Sequence, residues 1–188
     1  MRNRAILALL LVLLMTLTGC AAKEDTLRFT YQQAEKAAEW EMNLGNSTGG
    51  AVITAELWHN GEMTQSELLE IDRTARKLTL SGRVETNKEA AGRINVHLGV
   101  DGDNYAGMAC FDLPPGNLGY SFSGYQDRET LKVKAGDAMI LGAWSFDLGD
   151  GVRVVDCQRL MESPEYLTTS SCTLVVRATF TEGQSGAR

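Results

Sequence analysis

Lys77-Leu78-Thr79-Leu80-Ser81-Gly82-Arg83-Val84 alternates strictly between small or apolar and polar residues. Leu78, Leu80, Gly82 and Val84 fall on one side and Lys77, Thr79, Ser81 and Arg83 on the other. In a strand successive side chains point to opposite faces, so this stretch has one dry and one wet face. Arg93 to Val100 repeats the pattern through Ile94, Val96, Leu98 and Val100, and Thr130 to Ala135 through Leu131, Val133 and Ala135. Cys172 to Thr181 does so again, with Leu174, Val176, Ala178 and Phe180 inward. Half-buried alternation of this kind belongs to antiparallel sheets.

Working outward, less regular segments join the set. Ala51 to His59 offers Ile53, Ala55 and Leu57 on one side and Trp58 on the other. Ala138 to Leu148 begins apolar on both faces and reads as a central strand covered from both sides. Tyr105 to Leu113, Tyr120 to Phe122 and Val152 to Cys157 complete nine or ten expected strands. Asn60-Gly61, Asp101-Gly102 and Asp150-Gly151 supply the φ > 0 residues that two-residue hairpins need. Phe29 to Leu44 reads as a short helix or turn leading into a first strand, and Leu160 to Leu167 holds one expected helical turn around Ser163-Pro164-Glu165. The expected fold class is all-β: an antiparallel β-sandwich, Ig-like or jelly-roll-like, with a β-barrel as runner-up.

The amino terminus follows a different logic. Arg2 and Arg4 precede an uncharged apolar run from Ala5 to Met15, and Leu17-Thr18-Gly19-Cys20 follows. Eleven residues span about 16 Å as a helix, half of a hydrocarbon core of about 30 Å. The layout is that of a secretory signal peptide, and its Leu-Thr-Gly-Cys ending resembles the lipobox of bacterial lipoproteins. The resemblance covers residues 1–20 alone. It implies cleavage before Cys20, a diacylglyceryl group on its thiol, and a place on the extracytoplasmic face of a membrane in the bacterial cell envelope. Two or three acyl chains hold a domain stably on a bilayer. The expected organisation is therefore a signal over residues 1–19, the lipidated Cys20 with a short tether over residues 20–26, and one sandwich domain over residues 27–188.

Without Arg2 and Arg4, 16 of the 18 basic residues remain against 24 acidic ones, a net charge of −8. Such a surface repels nucleic acid and anionic headgroups, so neither is expected as a partner. Cys110, Cys157 and Cys172 are an odd set that cannot all pair within the chain. Cys157 and Cys172 flank fourteen residues and would suit a disulfide across a hairpin; three buried thiols are the alternative.

Chemistry-bearing motifs are sparse. His59 and His97 stand outside any metalloprotease pattern, and no nucleophile elbow or phosphate loop occurs. Asp101-Gly102-Asp103-Asn104 offers oxygens for calcium but lacks the EF-hand pattern, and a hairpin turn accounts for it. Asn46-Ser47-Thr48 matches a glycosylation sequon by chance in a bacterial lipoprotein. No cofactor is indicated. The aromatic-rich stretch holding Tyr105, Tyr120 and Tyr125 is the expected ligand-binding patch, with core packing as the competing reading. The expectation for function is a non-enzymatic binding module at the envelope for a protein, glycan or peptide partner. An envelope-acting hydrolase and an assembly factor are the alternatives.

Overall fold

The computed structural model describes residues 24–32, 37–85, 92–115, 119–147, 156–169 and 172–183. Its strands are β1 (Asp25–Gln32), β2 (Ala37–Asn43), β3 (Thr48–His59), β4 (Glu62–Asp72), β5 (Lys77–Glu85) and β6 (Arg93–Val100). They continue with β7 (Asp103–Asp112), β8 (Gly119–Ser123), β9 (Thr130–Val133), β10 (Ala138–Asp147) and β11 (Cys172–Glu182). Two short helices, α1 (Cys157–Glu162) and α2 (Glu165–Thr169), precede β11. A six-stranded sheet runs β7-β6-β5-β2-β1-β9 and a five-stranded sheet β4-β3-β11-β10-β8. All the pairings are antiparallel, and the sheets are not closed into a barrel. The all-β sandwich expected from the alternation is the observed fold.

The interior lies between the sheets. Phe29, Trp40, Leu78, Leu80, Ile94, Val96 and Leu98 from the six-stranded sheet meet Ile53, Ala55, Leu141, Trp144, Leu174 and Val176 from the other. Trp40 is fully buried, and its indole N–H donates to the Leu141 carbonyl at 3.2 Å, tying sheet to sheet. Its cross-strand partner Phe29 packs ring to ring at 5.0 Å. Gly82 faces inward as expected, and the reason it is glycine is local: a Cβ there would lie 2.6 Å from the Trp144 ring. At one margin the sheets nearly touch, where a Cβ on Gly107 would sit 2.7 Å from the Leu68 carbonyl oxygen.

The five-stranded sheet has a second dry face. Ile140, Ala143 and Val175 pack there beneath Cys157 and Leu160 of α1 and Leu167 of α2. A register shift between Ile140 and Gly142 sets Leu141 and Trp144, three apart, on the interior side. This is the covered central strand read from Ala138 to Leu141. On the same outer face Arg177 grips Glu56 with two bonds, at 2.7 and 3.1 Å, and Trp58 donates to that carboxylate at 3.2 Å. Glu56 is 6% exposed, so both its oxygens need these donors.

Hairpin chemistry followed the dipeptides. Asn60 (φ 51°) and Gly61 (φ 80°) join β3 to β4; Asp101 (φ 49°) and Gly102 (φ 98°) join β6 to β7. Elsewhere the chain departs from expectation. Most of Phe29 to Leu44 is strand, in β1 and β2, rather than a helix or turn. β1 starts at Asp25, so two residues of the expected tether belong to the fold. Asp25 is buried and accepts bonds from the Gly45 N–H and the Ser47 and Thr48 hydroxyls, fastening the start of β1 to the turn before β3. The expected strand ending at Cys157 is replaced there by α1, which Asp156 caps by accepting from the Arg159 N–H at 2.7 Å. Residues 151–155 and Asp150-Gly151 lie outside the described residues.

Candidate functional site

The three tyrosines of the expected patch lie apart. Tyr105, 75% exposed, sits on β7 at one margin of the six-stranded sheet, its ring edge-on to His97 at 5.3 Å. Tyr120 lies half-exposed on β8 with Phe146 6.4 Å away. Tyr125 follows β8 and wedges against Trp40 (5.3 Å) and Phe29 (6.1 Å), where the interior reaches the opposite margin. One contiguous patch of three tyrosines is therefore not formed: Tyr105 lies on β7 at one end of the six-stranded order, and Tyr120 and Tyr125 lie on and just after β8, the edge strand of the other sheet.

Cys157 and Cys172 are free thiols. Cys172 points into the interior, and Cys157, the first residue of α1, packs against the opposite face of the sheet. Opposite faces of one sheet cannot be bridged without moving backbone, so the expected disulfide is absent. Burial pushes both thiols up to about 12, and Cys157 donates to the Ser123 carbonyl at 3.3 Å. Cys110 is exposed.

The acidic turn is engaged by its own backbone. Asp101 accepts from the Arg76 and Lys77 N–H groups, both at 2.9 Å, and Asp103 from the Tyr105 N–H at 3.0 Å. Among the described residues no three His, Cys, Asp or Glu side chains are grouped to hold a metal. His59 is within 3.2 Å of the Asn60 amide, and His97 keeps a buried Nδ1 without a partner among the described residues.

Tyr125 leads to the concavity the sequence did not disclose. A cleft of about 380 Å³ opens where β9, β10 and α1 converge. Its volume falls within the range of small-molecule sites, roughly 300–1,000 Å³. Leu131 and Val133 from β9, Met139 from β10, Met161 from α1 and Tyr125 form its apolar wall. The polar part is Glu129, Asp137, Glu162, Gln158 and Lys132. Among the described residues each carboxylate has one hydrogen-bond donor. Glu129 accepts from the Gln126 N–H, Asp137 from the Lys134 N–H and Glu162 from the Gln158 amide, all at 3.0 Å. Lys132 is held by Glu24 at 2.7 Å, just ahead of β1. Tyr125 makes no hydrogen bond among the described residues. Burial, then the neighbouring Cys157, Glu129 and Asp156, drive its hydroxyl well above the ordinary phenol value of 10.0.

Of these wall residues, Leu131 and Val133 were legible as a strand face, and Tyr125 as an aromatic of interest. Met161 fell inside the segment expected to hold a helical turn, whereas Gln158 was missed with the start of α1. The signal for it was present: an aspartate followed by Cys157, Leu160 and Met161, spaced as one helical face behind a cap. No family model, curated protein or solved structure matches this chain.

Proposed function

We propose that this protein is a lipid-anchored, extracytoplasmic binding module that holds its ligand in the cleft between β9, β10 and α1. The observation that carries the binding reading is the cleft itself: an apolar wall of two strands and a helix, edged by carboxylates and a tyrosine hydroxyl. Such a mixture of apolar surface and a few polar groups is what ligand sites use. The anchoring part rests on Leu17-Thr18-Gly19-Cys20 and on a fold that begins at Asp25, close behind the cysteine. Binding loops on a rigid sandwich are a common division of labour.

Both parts can be tested. Expressed in a bacterial host, the chain should fractionate with membranes and carry an acylated amino-terminal cysteine by mass spectrometry; Cys20→Ser should release it. Recovery of unacylated wild-type protein ends the anchoring reading. Thermal unfolding against glycans, peptides, amphiphiles and divalent ions tests the cleft. A ligand at 100 times its Kd should stabilise the fold by about 2.7 kcal/mol, a shift of several degrees. Met161→Trp, which fills the cleft, should abolish the shift; a shift that survives it locates the site elsewhere.

A further inference from the structure

The cleft has a charge and a position, and the two converge on one kind of occupant. Glu129, Asp137 and Glu162 edge it, and its one lysine among the described residues, Lys132, is already paired with Glu24. An apolar wall beside carboxylates that form no ion pair among the described residues complements a molecule with a hydrocarbon body and a positive head. Half-buried Tyr125, whose hydroxyl is disfavoured as an anion by burial and by neighbouring negative charge, fits that preference.

Position comes from the chain itself. Asp25 pairs with Val133 of the cleft wall, and Glu24 bonds Lys132. Three residues separate Cys20 from Glu24, and the four steps of extended chain between them reach at most about 14 Å. A lipid on Cys20 therefore keeps this end of the sandwich beside the bilayer. The Asn60-Gly61 hairpin lies at the other end of β3, twelve residues and about 40 Å away.

We propose that the cleft binds a cationic amphiphile from the membrane face to which the domain is anchored. This deepens the binding-module reading and rests on it. The test uses the full chain carrying Cys20→Ser, titrated by calorimetry with octylammonium, octanoate and octanol. Octylammonium should bind at least tenfold more tightly than octanoate. In the double variant Glu129→Gln, Asp137→Asn that ratio should fall below threefold; a ratio that stays at tenfold or more overturns the role of these carboxylates. If octanoate or octanol binds as tightly as octylammonium, and Met161→Trp or Ala138→Phe abolishes that binding, the cleft reading stands and the cationic preference is overturned. If binding survives both filling variants, or none of the three probes binds, the cleft reading falls and takes this inference with it. Placement is read separately on the lipidated chain in a Cys110→Ser background. A fluorophore on Lys134→Cys should be quenched by nitroxide headgroup lipids and one on Glu62→Cys should not; equal quenching overturns the membrane-facing placement.

Discussion

On the outer face of the six-stranded sheet Lys77 meets Glu39 at 2.6 Å and Arg93 meets Asp112 at 3.0 Å, with water on the other side of most of these groups. On the outer face of the five-stranded sheet Ile140, Ala143 and Val175 lie under two helices, and the Arg177–Glu56 pair is nearly closed from solvent. The same strand geometry thus carries two kinds of surface. A face open to water tolerates charge at little cost, since exposed pairs gain and lose little. A covered face must be apolar or have every polar group satisfied. The cleft forms along the margin where the helical cover of one sheet meets the short edge strand of the other.

The largest effect should come from the interior that both sheets share. Trp40→Ala removes the biggest buried side chain and leaves the Leu141 carbonyl without its donor. It should cost about 4–5 kcal/mol and lower the melting temperature by about 10 °C or more. A loss below about 2 kcal/mol would mean that the sheets do not depend on this bridge.

Arg177→Met probes the covered face directly. It strands the Glu56 carboxylate; because Arg177 retains some solvent access, a cost of about 2 kcal/mol is expected in denaturant unfolding, below that of a fully sealed pair. Adding Glu56→Leu should recover most of it. A double variant as unstable as the single one would show that the pair does more than neutralise itself.

Thiol chemistry separates the faces next. Ellman's reagent on the folded protein should modify Cys110 rapidly and Cys157 and Cys172 only after unfolding. Both buried thiols are raised from 9.0 to about 12, so the folded state holds their protons more tightly than the unfolded chain does. Their contribution is fully present below pH 9 and is lost as pH climbs from about 9 to 12. Stability that is flat across that window would contradict their burial. Smallest of all, Arg93→Ala on the wet face should leave the melting temperature unchanged; a clear drop there would erase the contrast between the two faces.

Legibility in the sequence tracked the same contrast. β5, β6 and β11 could be read because alternation is kept wherever each face has one character for several residues. β4 was passed over: Glu62 to Ser66 is exposed or half-buried on both sides with Met63 as its one apolar residue, and a register shift beside Ile53 sets Leu68 and Ile71 three apart instead of two. β1 and β2 were obscured because the helix-forming residues of Gln32 to Ala38 break the pattern between them. α1 spans six residues, too few for periodicity to stand out from its surroundings.

Period two, turn dipeptides and the amino-terminal motif are local properties, written within a few neighbouring residues. They determined the all-β class, the hairpins at Asn60-Gly61 and Asp101-Gly102, and the expectation of an anchor at Cys20. Which thiol faces which side, which carboxylates line one cleft and where a cavity remains are relations between distant segments. β9 lies beside β1 although about a hundred residues separate them, and α1 leans on β10. The cleft exists because those three pieces meet without filling the space between them, and tertiary packing decides that.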